Sequence, residues 1–320
     1  MHMTLSKSIS EQIPEIEARI RTQLTGKPSL LLADLDQLIF RGWRSLRPTL
    51  TLIFGRISNA DPEALINLAA AIEMLSTAML VHDDLVDIEN QRHIGPNINP
   101  SFRTSAAVLA GDLAFAAAAQ LAAATNWVAV MQKFSETLQF IVSGEITHMF
   151  RNGQGVDRDS YYHWIHAKTA SLFELACETA ILIGTQEDET MSLARQFGYQ
   201  IGMAYQISND IRDFSSDHAI QEKPIGSDLR QGILTLPAIF YFESHPGDPL
   251  LRSLLHKNGH SQEDLDGLIV AIRQSNAVER SLDEVRAFGQ SGREILMKLP
   301  NTPERAELEQ LIGQIITRND

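Results

Sequence analysis

A chain of 320 residues, 44% hydrophobic and 21% charged, has a globular composition with ample material for a core. Its formal net charge of −13 argues against a general nucleic-acid binder, because phosphate backbones need a basic surface; a local cation cluster or a metal could still hold a small phosphorylated ligand. The single cysteine, Cys177, excludes an internal disulfide and suits a reducing, cytoplasmic setting.

The first residues, "MHMTLSKSISEQIPEIEARI", are polar and charged without a signal-peptide core, and 1–25 reads as a loosely ordered segment. In "DPEALINLAAAIEMLSTAMLVHDDLVD", Asp61 stands ready to cap a helix whose first turn holds Pro62. Ala-rich "SAAVLAGDLAFAAAAQLAAAT" follows as a second long helix. Helical patterns continue over 127–149, 160–183, 187–214, 233–244, 262–274, 279–298 and 302–317. Only short breakers such as "RNGQG" and "HPGDP" separate them, and alternating strand patterns are nearly absent. The expectation is one all-α domain over 1–320. Stretches 66–82 and 105–125 are the most apolar, but Glu73 and Asp112 interrupt them, so neither is expected to span a membrane. The small side chains of 114–124 either let a neighbouring helix come close or leave room for a cavity.

Two acidic clusters end apolar helical runs. In "HDDLVD", Asp83 and Asp87 share a helix face and Asp84 sits about 100° round. In "YQISNDIRDFSSD", Asn209, Asp213 and Asp217 form an i, i+4, i+8 row with Asp210 beside it. Like charges at such spacings repel unless something positive lies among them. Oxygen-rich faces of this kind suit hard divalent cations, Mg²⁺ best, because it is commonly held by one or two carboxylates plus substrate phosphates. Cations are also present: Arg44 and Arg47 in "GWRSLRP", Arg92 after the first cluster, Lys168 inside the apolar "HAKTASLFE", and Lys223 in "EKPIGSDLRQGILTLP". Arginine forks bind phosphate oxygens bidentately, and lysine acts as a point charge.

Assembled, these residues resemble the polyprenyl synthetase family of trans-isoprenyl diphosphate synthases, from about residue 38 to 318. "HDDLVD" is similar to the family's first Asp-rich motif, DDxxD, and "GWRSLRP" to its GGKRLRP segment. "AGDLAFA" resembles its GD-containing helix, "SGEITH" its GExxQ step and "KTASLF" its Lys-Thr-Ala motif. "YQISNDIRDF" resembles its second Asp-rich motif. The resemblance implies an isoprenoid-synthase-type helical bundle around a central cavity, a homodimer, and Mg²⁺-dependent joining of an allylic diphosphate to isopentenyl diphosphate. By position it implies Asp83, Asp84, Asp87, Asn209, Asp210 and Asp213 as metal ligands. It implies Arg92, Lys168 and Lys223 on the allylic diphosphate, and Lys168, Thr169 and Gln206 as the catalytic set, Thr169 and Gln206 facing the developing carbocation. Arg44, Arg47, His93 and Ser76 fall at the isopentenyl diphosphate site, and Ala78, Met79 and Leu75 at the positions that set chain length. A small residue at Ala78 points to a product of geranylgeranyl length or longer.

Departures from the pattern gather on the acceptor side: Arg44-Ser45 for Lys-Arg, Ser76 for histidine, Arg92-His93-Ile94 for Arg-Arg-Gly, and Ile233 for a lysine. Asn209 replaces an aspartate of the second motif. Two other readings therefore stay open at this point. One is a synthase-like enzyme that ionises an allylic diphosphate without isopentenyl diphosphate, in the manner of a terpene cyclase. The other is a partner subunit of a heteromeric synthase.

Overall fold

The computed structural model describes residues 7–26, 46–86, 103–151, 157–185, 187–214, 224–255 and 261–317. Among the described residues every regular element is a helix. They group into two compact units: Met1–Thr137, Leu172–Gly198 and Lys298–Leu308 form unit 1, and Leu138–Ser171, Tyr199–Met297 and Glu309–Asp320 form unit 2. All the boundaries but the one at Met297 fall inside a helix, which is why the chain reads as one domain when linkers are sought.

Unit 1 is built on α1 (Lys7–Leu24), α2 (Leu46–Ile57), α3 (Pro62–Val86) and α4 (Arg103–Ala123). Where the described residues cover the segment 1–25, expected to be loosely ordered, they form α1 instead. Its Ile9, Ile13, Ile16, Ile20 and Leu24 recur every three or four residues and are buried against α2 and α3. The abundant charges and Pro14 obscure that stripe in the sequence. Arg19 adds side-chain hydrogen bonds to Asn67 and to Glu63, the latter at 2.7 Å.

Asp61 caps α3 as its sequence suggests, accepting from the Ala64 N–H at 2.8 Å. Every residue from Ala64 to Met79 is buried. The stretch Pro62–His82 is long and apolar enough to cross a bilayer, yet 94% of its apolar window is enclosed by the protein, as befits a core helix. The alanine face lies against it: Ala114, Ala117, Ala118 and Ala122 of α4 are buried in the α3–α4 contact, so small side chains here serve close helix approach.

Unit 2 takes the end of α5 (Val128–Arg151) and α6 (Arg158–Ile165), which runs through a π-helical turn (His166–Ala170) into α7 (Ser171–Ile183). Asp157 starts α6 by accepting from the Ser160 N–H at 2.7 Å. Helix α8 (Asp188–Arg212) enters this unit at Tyr199. After it come α9 (Ser227–Arg230), α10 (Leu236–Ser244), α11 (Pro249–Leu255), α12 (Gln262–Gln274), α13 (Ala277–Leu296) and the end of α14 (Pro303–Ile316). Arg280 joins α13 to α10, stacking 4.0 Å over the Phe240 ring and hydrogen-bonding Glu243 at 3.1 Å.

Candidate active site

The π-helical turn falls on "HAKTA", where the sequence suggests uninterrupted helix from 160 to 183. Such turns cluster at functional sites because the extra residue re-aims side chains that a regular helix would place elsewhere. Gly144 of α5 makes this possible, since a Cβ there would meet the Ala167 Cβ at 2.4 Å.

Thr169, buried on this turn, donates its hydroxyl to Gln206 Oε1 at 2.8 Å. One helical turn further along α8, Gln206 Nε2 donates to Asp210 Oδ1 at 2.7 Å. The other carboxylate oxygen, Oδ2, accepts from Tyr161 Oη at 2.6 Å. Burial, then the nearby Asp228, pushes the Asp210 carboxyl up to about 8, while the two donors pull the other way. Burial and Asp210 together raise the Tyr161 phenol well above its ordinary range. Asn209 is partly exposed on the same helix.

Lys168 sits on an aromatic and acidic cradle. Its Nζ lies 3.4 Å from Glu145 Oε1 and 5.2 Å from the centre of the Trp164 ring. Trp164 Nε1 donates to the same Glu145 oxygen at 3.0 Å. His148 stacks on Trp164 with centroids 4.1 Å apart and planes 9° from parallel. Burial, then the Lys168 charge, lowers the His148 imidazole to about 4, so it is neutral at pH 7.

Asp213 is engaged differently. Oδ1 accepts from the Ser227 N–H at 3.0 Å and the Ser227 hydroxyl at 2.9 Å, and Oδ2 from the Asp228 N–H at 3.1 Å. Its carboxylate thus holds the start of α9, the segment that follows Lys223 in sequence. Among the described residues no three His, Cys, Asp or Glu side chains gather into a metal cage. Asp210 nevertheless fits a hard cation: each oxygen accepts one hydrogen bond, which leaves lone pairs for ligation, and a positive neighbour would restore its charge. Mg²⁺ ordinarily uses such incomplete protein sets and completes them with water and phosphate oxygens.

In unit 1, Arg47 turns its guanidinium onto Glu73, with Nε to Oε1 at 2.8 Å and Nη2 to Oε2 at 3.4 Å, 5.8 Å over the Phe173 ring. Ser76 lies one turn beyond Glu73 and is buried, as are Leu75, Ala78 and Met79. Asp83 and Asp84 fall on the last turns of α3. Just before them, His82 occupies a notch left by Gly111, where a Cβ would come within 2.0 Å of Nε2. That nitrogen lies 3.3 Å from the Val108 carbonyl oxygen, linking the end of α3 to α4. The side chains of Asp83 and Asp84, and all of Arg44, Asp87, Arg92, His93, Asp217 and Lys223, lie outside the described residues.

Tyr161, Glu73 and Trp164 escape a reading of motifs alone, whereas Glu145 and His148 fall in "SGEITH". A signal for Glu73 is present, an acid inside a run of apolar residues. Tyr161 precedes Lys168 by seven residues, two helical turns, and nothing else in the sequence marks it.

The family model described as polyprenyl synthetase matches residues 28–272. A prenyl transferase of Synechocystis is 28% identical over 319 residues, covering 98% of either chain. An all-trans-nonaprenyl-diphosphate synthase of Rhodobacter capsulatus, described as geranyl-diphosphate specific, is 30% identical, covering 97% of this chain and 96% of its own. Among solved structures, a polyprenyl synthase of Caulobacter crescentus complexed with calcium and isoprenyl diphosphate superposes with a TM-score of 0.89. It is 25% identical and covers 98% of this chain and 97% of its own.

Proposed function

Because this chain belongs to the polyprenyl synthetase family, as a prenyltransferase that joins an allylic diphosphate to isopentenyl diphosphate, we propose how its residues divide that reaction. The observation that carries the proposal is the row Thr169–Gln206–Asp210 beside Lys168. Thr169 donates its hydroxyl hydrogen bond to Gln206 Oε1, so the threonine lone pairs and the remaining lone pair of the Gln206 carbonyl oxygen are the electron-rich ends offered to a developing allylic cation. Lys168, with Arg92 and Lys223, holds the allylic diphosphate. Asp83, Asp84, Asp87, Asn209 and Asp210 are the proposed Mg²⁺ ligands, and Asp213 acts by anchoring α9. Bound Mg²⁺ would offset charge on the departing diphosphate.

The allylic C–O bond breaks with its electron pair leaving on diphosphate. The double bond of isopentenyl diphosphate then supplies the electrons of the new C–C bond, and the proton released goes to the freed diphosphate. Arg44, Arg47, Ser76 and His93 are the proposed acceptor set, Arg47 being aimed by Glu73. The product is of geranylgeranyl length or longer, a reading that buried Ala78 supports, because a small side chain leaves room beside it for a growing chain. An Ala78→Phe variant should make products shorter by one or more isoprene units; an unchanged distribution by chromatography would remove Ala78 from that role.

A second copy of this chain is the proposed partner. Val142, Ile146, Met149 and Phe150 form an exposed i, i+4, i+7, i+8 stripe on α5, with Phe150 81% exposed, an apolar face suited to burial in a symmetric dimer. The proposed setting is the cytoplasm, which single, buried Cys177 suits.

The deciding experiment incubates the pure protein with Mg²⁺, farnesyl diphosphate and radiolabelled isopentenyl diphosphate and separates products by length. Labelled polyprenyl products are expected. Diphosphate release without incorporated label would show that the acceptor set does not hold isopentenyl diphosphate.

A further inference from the structure

We propose that Tyr161 is a positioning residue for prenyl transfer, fixing Asp210 and through it the polarity of Gln206. Tyr161 is only 1% exposed, and a phenol hydroxyl in such a place is costly unless it is hydrogen-bonded. Its bond goes to Asp210 Oδ2, while Gln206 binds Oδ1, so the carboxylate is gripped on both oxygens and its plane is set. The segment 158–170 thereby meets α8 in two rungs, Tyr161 to Asp210 and Thr169 to Gln206, running in opposite directions along the two elements.

The consequence lies in the Gln206 amide. Its NH₂ points to Asp210 and its oxygen to the Thr169 hydroxyl. Were Asp210 to rotate, the NH₂ would lose its acceptor, and the amide could turn its positive end toward the place where an allylic cation forms. A buried Phe at 161 would fill the same space without holding the carboxylate. This inference rests on the assignment of Asp210 and Gln206 to the allylic site.

The test compares the full chain carrying Tyr161→Phe with wild type. The expected result is kcat lower by about tenfold or more, with KM for isopentenyl diphosphate within threefold and thermal unfolding little changed. Wild-type kcat in this variant would overturn the inference. A second measurement uses the wild-type protein with ¹³Cζ-labelled tyrosine, which gives few signals because the chain has five tyrosines. Adding Mg²⁺ with unreactive farnesyl thiodiphosphate should shift the Tyr161 resonance; an unmoved resonance overturns the inference even if Tyr161→Phe does not fold. Asp210→Ala separates the two levels. If it keeps full kcat, the assignment of Asp210 fails and the inference with it. If it loses kcat while Tyr161→Phe does not, only the positioning role of Tyr161 fails.

Discussion

In unit 1 a half-buried cation, Arg47, meets a buried carboxylate, Glu73, in a two-pronged pair, whereas in unit 2 the buried carboxylate Asp210 accepts from two neutral donors, Tyr161 and Gln206. The first arrangement cancels its charge within the protein. The second does not, and burial lifts the Asp210 carboxyl to about 8 as a result. A carboxyl left short of positive charge is a place that favours an incoming cation, while a completed ion pair is a stiff support. The first arrangement suits the place proposed for Arg47 in the acceptor set, and the second the place proposed for Asp210 as a Mg²⁺ ligand.

The largest expected effect comes from the middle of the unit 2 row. Gln206→Leu removes the acceptor of Thr169 and one donor to Asp210. Losing one preorganised polar group at a reacting centre typically lowers kcat by about 10²–10³-fold. Steady-state kinetics with both substrates should show that loss in kcat, with KM for isopentenyl diphosphate little changed. A fall confined to KM would place Gln206 in binding alone.

Next comes the pair in unit 1. Glu73→Leu takes from half-buried Arg47 the carboxylate that meets its Nε and Nη2, and breaking such a pair costs up to about 3 kcal/mol here, the low end for buried pairs because Arg47 keeps some exposure. Urea unfolding should show this, together with a raised KM for isopentenyl diphosphate. The double variant Arg47→Met, Glu73→Leu sharpens the contrast. It should regain most of the stability, since two apolar side chains can replace a buried pair, but not the acceptor affinity. Recovery of both would mean that Arg47 is structural only.

Much of this was legible in the sequence, for reasons that can be stated residue by residue. Asp61 and Pro62 announce the start of α3, and "KTA" marks a turn whose Thr169 meets Gln206 of the second acidic segment, while the first acidic cluster falls largely outside the described residues. The N-terminal helix was not legible, since its isoleucine stripe is diluted by charge and broken by Pro14. Nor was the π-turn, which depends on Gly144 arriving from a helix 22 residues or more away in sequence. Asp213 reads like a metal ligand because its neighbours in sequence are acidic; its hydrogen bonds from Ser227 and Asp228, 14 and 15 positions later, leave no mark in the sequence. Tyr161 was invisible for the same reason, as its meaning lies in a contact with a residue 49 positions later.

The smallest predicted effect concerns the cradle of Lys168 and separates electrostatics from packing within unit 2. His148 takes a proton at about 6.5 when unfolded but only at about 4 when folded, because burial and the Lys168 charge oppose the imidazolium. Between those values the unfolded chain binds more protons than the folded one, so stability is lost as pH falls from about 6.5 to 4 and no further below that. The full shift would correspond to about 3 kcal/mol, but the ring is only partly enclosed and solvent screening reduces this to about 1–2 kcal/mol. His148→Gln keeps a polar side chain of similar reach and removes the titration. Its urea-unfolding free energy should therefore fall less than that of wild type between pH 7 and pH 4.5. Equal losses in the two proteins would mean that the His148–Trp164 stack yields enough on protonation to let the imidazolium reach water.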